Sequence, residues 1–172
     1  PQSINYTTTK TSQLDPNVLK DNRIVTSDAD PLGDVYRQLR TQVLQKLRSN
    51  GWKTLAVTSP NTNAGKTVTA INLAIALSKE VNQTVLLADL DLRTPSVLNT
   101  LGLETEAGVV DHLKGNASVA DILVNPDFER LVIMPGKADP NYNSEILSSP
   151  AMSTLLKDLT SRYESRIIIF DL

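Results

Sequence analysis

Cysteine is missing altogether from this 172-residue chain, which excludes disulfides and thiolate metal sites and fits a reducing cytosol. Its single histidine, His112, has no acidic or serine partner at catalytic spacing and reads as a surface or half-buried side chain. An excess of one charge is missing too: 17 basic residues face 19 acidic ones, a net −2, so no whole-chain field attracts nucleic acid. No apolar run approaches the roughly 18 to 20 residues that a membrane span requires, and no signal peptide is visible. Internal repeats are absent. What is present, 40% hydrophobic residues in runs of strand length, suits one α/β domain. The chain begins at Pro1 and stops at "IIIFDL", just after an aspartate ending a buried-type strand, so a segment of a longer protein is expected, with later strands still to come.

Residues 1–29 are polar and without period, and are expected to form an arm or linker; residues 30–172 are expected to form the domain. "DADPLGDVYRQLRTQVLQKLRSNG" predicts a helix, capped by Asp30, opened by Pro31 and stopped at Ser49-Asn50-Gly51. Leu32, Val35, Tyr36, Leu39, Val43 and Leu47 make its apolar stripe, and Asp34, Arg37 and Arg40 lie off it. From Thr54 onward strands and helices alternate: "TLAVTS", a helix from Thr67 to Lys79, "TVLLADLD", three short helical stretches, "RLVIMPG", a helix from Pro150 to Tyr163, and "RIIIFD". Continuous apolar strands separated by helices predict a mostly parallel sheet covered on both faces. Tyr36 and Tyr163 sit in helical patterns and are expected in the core; Trp52, just before the first strand, is expected to pack or to act as a lid.

The chemistry begins where the first strand ends. "SPNTNAGKT" passes from a strand at Ser59 through small polar residues to a helix opening at Gly65-Lys66-Thr67. Loop amides and a helix N-terminus then converge on one spot suited to an anion. In a phosphate loop Lys66 reaches β and γ phosphate oxygens and the Thr67 hydroxyl ligates magnesium, so Asn61, Thr62, Asn63, Ala64, Gly65, Lys66, Thr67 and Val68 are the candidate nucleotide-binding residues. The general pattern's first glycine is lacking, Pro60 standing in its place, and Asn63 occupies a position where glycine is usual; asparagine tolerates left-handed backbone better than most residues. The second strand ends in "LLADLDLRTP", whose Asp89 and Asp91 fall on the same side of an extended chain, at the strand end where ligands gather in parallel sheets. Asp171 repeats the pattern as a third carboxylate, reaching magnesium through water.

Together these three stretches resemble the Walker A, Walker A′ and Walker B motifs of the bacterial tyrosine kinases, the capsule and exopolysaccharide autokinases of CapB/CpsD type, relatives of the MinD/ParA ATPases. The resemblance runs from residue 32 to 172, and "NSEILSSP" is similar to the exosortase-associated branch. It implies a P-loop NTPase-like fold and an ATP- and magnesium-dependent transfer of the γ-phosphate to tyrosine, in a cytoplasmic protein peripheral to the inner face of the plasma membrane. Lys66, Asp89 and Asp91 would be catalytic, with Asp91 the closer to a base; Thr67, Asp89 and Asp171 would serve the metal; Arg93 belongs to the motif without an assigned role. Asp34, Arg37 and Arg40 match the family's E-x-x-R-x-x-R helix, which implies a homo-oligomeric ring, aspartate here shortening the reach by one methylene. The implied partners are a tyrosine-bearing protein, this protein itself included, and a membrane activator or polysaccharide copolymerase. Two rival functions stay open: a MinD/ParA-type ATPase, against which stands Asn61 where those proteins carry a signature lysine, and a weakly catalytic nucleotide-binding scaffold, which the altered loop keeps in play.

Overall fold

Leucine-, isoleucine- and valine-rich segments too short for helices pair side by side, and the amphipathic segments between them cover the result. The computed structural model describes residues 10–27, 29–138 and 144–172; Tyr6 and Tyr142 lie outside the described residues. The strands are β1 (Lys10–Thr11), β2 (Thr54–Val57), β3 (Thr84–Asp89), β4 (Val124–Asn125), β5 (Leu131–Met134) and β6 (Arg166–Asp171). The helices are α1 (Pro16–Asp21), α2 (Pro31–Asn50), α3 (Lys66–Ser78), α4 (Val97–Thr100), α5 (Val109–Leu113), α6 (Val119–Ile122) and α7 (Pro150–Ser161), with a 3₁₀ turn over Ser144–Ser148. The sheet order is β1-β4-β5-β3-β6-β2, parallel except for the β4–β5 pair. This is the expected doubly covered, mostly parallel α/β sheet.

Alternation along the strands divides the core in two. Val85, Leu87, Ile167 and Ile169 face α2, α3 and the chain around Leu19 and Ile24, whereas Leu86, Ala88 and Ile168 face α5, α6 and α7. Helix α3 is buried on all sides from Ala70 to Ser78, because it lies between the sheet and the outer helix α2. Among the described residues no helix is long and apolar enough to cross a membrane.

Three details depart from the sequence reading. Within the expected polar arm, β1 pairs with β4, and Leu19, Ile24 and Val25 are buried. The reason is one buried side chain on α3: Asn72 accepts from the Val25 amide at 2.7 Å and donates to the Arg23 carbonyl at 3.0 Å, fastening a segment whose own sequence has no period. On α2, Leu32 and Val35 are exposed (44% and 57%), since in the first turns it is Gly33 that meets the core, and the apolar stripe makes contact only from Leu39 onward. Tyr163 lies beyond the end of α7 and is exposed rather than core, its ring stacked under the Arg166 guanidinium at 4.0 Å.

Replacing Asn72 by alanine strands two buried backbone groups, so Asn72→Ala is expected to lower stability by about 2–4 kcal/mol in urea unfolding. Trypsin should then cut at Arg23 before global unfolding; unchanged protection of Arg23 would show that the segment holds without Asn72.

Candidate functional site

The carboxyl ends of three neighbouring strands lie level. Asp171 of β6 pairs in register with Val57 of β2 on one side and with Asp89 of β3 on the other. The loop after β2 therefore opens directly above two strand-terminal carboxylates. Asn63 (φ 58°) and Gly65 (φ 84°) both take left-handed backbone, turning the chain tightly into α3. Asparagine thus supplies one of the two left-handed positions, and the replaced glycine at Pro60 leaves the turn intact. Residues Thr62 to Val68 line a cleft of about 410 Å³ whose far wall is Asp91, Thr94, Ser96 and Thr100. Asn61, also a candidate nucleotide contact, is exposed just before this lining begins. A wider cleft of about 560 Å³ beside β4, lined by Glu104, Glu106 and Asp121 among others, has no basic lining residue and no phosphate loop, so size does not select the site.

The side chains the sequence singled out meet here. Lys66 Nζ donates to Asp91 Oδ2 at 2.6 Å and stands 3.8 Å from Asp171 Oδ1. The Thr67 hydroxyl donates to Asp171 Oδ2 at 2.6 Å and lies 3.0 Å from Ser96 Oγ. Asp91 Oδ1 accepts from the amide and the hydroxyl of Thr94 at 3.1 and 3.2 Å. Asp89 differs from Asp91, although the two were expected on a common face. It is 1% exposed, and its Oδ2 accepts from the amides of Ser96 and Val97 at 2.8 and 2.9 Å. The strand ends at Asp89 and the chain turns at Asp91, so strict alternation stops between them: Asp89 lies beneath the cleft and Asp91 on its wall.

Electrostatics follows from crowding three carboxylates around one ammonium. Burial, with the fields of Asp171 and Asp91 added, outweighs the two amide bonds and pushes the Asp89 carboxyl up to about 6. Burial also raises Asp171, against the Thr67 hydroxyl and Lys66. For Asp91 burial acts upward as well, but the hydrogen bonds from Lys66 and Thr94 prevail and hold it below the ordinary carboxylate range. Lys66 is held above its ordinary value: burial lowers it, and the Asp91 bond with the Asp171, Asp91 and Asp89 charges raises it more.

Two buried carboxylate oxygens, Asp89 Oδ1 and Asp171 Oδ1, have no hydrogen-bond partner. Unshared hard oxygens, one of them on the carboxylate that accepts from the Thr67 hydroxyl, fit a magnesium ion, which prefers one or two carboxylates with water and phosphate oxygens. No cage of three or more acidic, histidine or cysteine ligands occurs among the described residues.

Other candidates lie elsewhere. Asp34 and Arg37 form an ion pair with each other on α2, while Arg40 turns inward to Glu80 (3.2 Å) and the Ala76 carbonyl (3.4 Å). Arg93 is exposed beside the cleft wall, without lining it. Trp52 is 59% exposed and precedes β2, at the opposite end of the sheet from the loop, so it is neither packed nor a lid over the cleft. Half-buried His112 bonds the Ala117 carbonyl through Nδ1 at 2.9 Å. Sequence reasoning missed Thr94, Ser96 and Gly136. The first two look like ordinary turn and cap residues. Gly136 is needed because a Cβ there would stand 2.8 Å from Pro95 Cβ and 2.9 Å from the Asp89 carbonyl, which only proximity in space reveals.

Because its folded-state pKa is raised, Asp89 favours the folded chain below pH about 4, where the unfolded carboxyl is also protonated, and that contribution is lost as pH climbs through about 6. Without nucleotide or metal, Asp89→Asn, which keeps an acceptor for the two amides, is expected to be more stable than the parent at pH 7.5 by about 2–3 kcal/mol. The difference should shrink toward zero at pH 4; equal unfolding curves at both pH values would contradict a buried charge at Asp89.

Comparison with known proteins agrees with this geometry. The chain is 32% identical over 137 residues to the tyrosine-protein kinase CpsD of Streptococcus agalactiae, covering 78% of this chain and 58% of that protein. The chain spans only part of its curated relatives: 56% of the tyrosine-protein kinase YwqD of Bacillus subtilis and 18% of the putative tyrosine-protein kinase EpsB of Ralstonia solanacearum. Its fold superposes on the chimerical protein CapA2B2 with a TM-score of 0.76 at 22% identity, over 94% of this chain and 69% of that one. The cobyrinic acid a,c-diamide synthase of Mycobacterium smegmatis, solved with a bound ATP analog and magnesium, matches with a TM-score of 0.56 at 25% identity, over 68% of this chain and 50% of that one. Residues 55–168, from the strand before the phosphate loop almost to the third carboxylate, match the CobQ/CobB/MinD/ParA nucleotide binding domain, and the chain belongs to that family.

Proposed function

We propose that this chain is the nucleotide-binding and catalytic part of an ATP-dependent protein tyrosine kinase that phosphorylates its own kind and regulates exopolysaccharide or capsule production. The observation that carries the reading is the convergence of Lys66 and Thr67 with Asp91 and Asp171 at one end of the sheet. The name of the CpsD relative supports the choice of tyrosine as acceptor. In the reaction, loop amides and Lys66 would hold the triphosphate, and Thr67, with Asp171 and Asp89 nearby, would hold a magnesium ion, whose chemistry when bound is neutralisation of developing charge. The tyrosine oxygen bonds to the γ-phosphorus, the bond to the β–γ bridging oxygen breaks, and ADP leaves. Asp91 accepts the phenolic proton, which a hydroxyl of pKa near 10 must lose as it attacks.

The same reading makes the protein a homo-oligomer at the inner face of the plasma membrane, docked there through a membrane activator or polysaccharide copolymerase. Of the α2 trio, the Asp34–Arg37 pair, presented outward, would meet the neighbouring copy, and Arg40, turned inward to Glu80, would support the helix behind it. A MinD/ParA-type ATPase is the second reading, which family membership favours and Asn61 in place of a lysine disfavours.

Incubation with γ-labelled ATP, magnesium and a random glutamate–tyrosine copolymer separates these readings. Label is expected on tyrosine, and Lys66→Met should abolish it. Asp91→Asn should lower kcat by about 10²–10⁴-fold while nucleotide affinity changes only a few-fold. Phosphate released to water with none on tyrosine would establish the ATPase instead, and tight binding without either product would establish the scaffold.

A further inference from the structure

The Thr67 hydroxyl carries one hydrogen and has two oxygen neighbours, Asp171 Oδ2 at 2.6 Å and Ser96 Oγ at 3.0 Å. An ionised carboxylate only accepts, so the Thr67 proton goes to Asp171, and the second contact then requires Ser96 to donate. One lone pair of Thr67 Oγ is left, its direction fixed by the other two bonds. Ser96 occupies the N-cap of α4, where a serine ordinarily turns its oxygen onto its own helix, yet it makes no such bond. The Asp89 carboxylate performs the capping in its place, accepting from the Ser96 and Val97 amides at 2.8 and 2.9 Å. The hydroxyl released from that duty lies in the lining of the cleft beside Thr67.

We propose that Ser96 is a positioning residue for the metal-binding hydroxyl of Thr67, and that Asp89 acts on the metal site through it. The proposal rests on the nucleotide reading above and deepens it. The chain of contacts runs from Asp89 to the Ser96 amide, from Ser96 Oγ to Thr67 Oγ, and from Thr67 to Asp171. It spans the ends of β3 and β6 and holds the threonine lone pair where a cation beside the phosphates would use it. Loss of the Ser96 hydroxyl removes this alignment while leaving the Ser96 amide, and hence the loop, on Asp89. Its consequence is confined to the metal-dependent part of nucleotide binding.

The test titrates N-methylanthraniloyl-ADP into the parent chain, Ser96→Ala and Ser96→Thr, each with magnesium and with EDTA. Magnesium should tighten binding by the parent. In Ser96→Ala that tightening should shrink about five- to tenfold, the worth of one hydrogen bond, with the EDTA affinity within about twofold of the parent. Ser96→Thr, which keeps the hydroxyl, should restore it. Parental tightening by magnesium in Ser96→Ala would overturn the proposal and leave the nucleotide reading standing. So would an equal loss with and without magnesium, the mark of a merely structural serine. A parent chain that fails to bind the nucleotide under both conditions would overturn both.

Discussion

Three carboxylates share one ammonium at the end of a hydrophobic sheet, and most of the structure around them manages that imbalance. Burying an unpaired carboxylate is costly enough that it protonates or finds donors. Each of the three has a different remedy. Asp91 takes Lys66 and Thr94 and stays ionised, Asp171 takes the Thr67 hydroxyl with Lys66 at longer range, and Asp89 takes two backbone amides that do not fully offset its burial. A chain selected for stability alone would replace Asp89 with a neutral residue. Retaining it leaves an oxygen without a partner beneath the cleft, as Asp171 does with its own Oδ1. A divalent cation held there would supply the positive charge this cluster lacks.

The fold makes the cluster possible by bringing strand ends level. In a parallel sheet each strand returns in the same direction through a helix, so residues distant in sequence finish at the same height. Asp89 and Asp171 are register partners although 82 positions separate them, since 171 − 89 = 82. The phosphate loop opens above this pair because β2 lies on the other side of β6. Gly136 belongs to the same arrangement: the chain leaving β5 passes so close to Asp89 that no side chain fits between.

What could be read from the sequence follows from how local its cause is. Strands β3, β5 and β6, helices α2, α3 and α7, and the left-handed Asn63 all have nearby causes in apolar runs, caps and turn chemistry, and were legible. The strap from Ser12 to Val25 was not, since a buried asparagine some 47 positions later satisfies its backbone. Strand β4 is two residues long and exists only through its neighbours. In the site, Lys66, Thr67, Asp91 and Asp171 carried a motif. Ser96 carried an ambiguous one, because a serine ahead of "VLNT" predicts a helix cap equally well. The difference between Asp89 and Asp91 was hidden because alternation holds only while the strand lasts. The N-terminal part of the α2 stripe was misread for a related reason: periodicity gives a face, and only the length of the opposing helix says how much of that face is covered.

The short contact between Lys66 and Asp91 ties the two halves of the proposed reaction together. Burial would make Asp91 a stronger base, and the lysine outweighs it, holding the carboxylate below its ordinary range with both oxygens already occupied. A carboxylate in that state is a poor acceptor for a phenolic proton. In the kinase reading a triphosphate would compete with Asp91 for the three donors of the Lys66 ammonium. Were Lys66 drawn to phosphate, Asp91 would lose the bond that depresses it, keep the burial that raises it, and gain proton affinity. Such a coupling would be reciprocal: part of what lysine gained on phosphate would be offset by what it lost at Asp91, so in the kinase reading some nucleotide affinity is traded for a base at the moment of transfer.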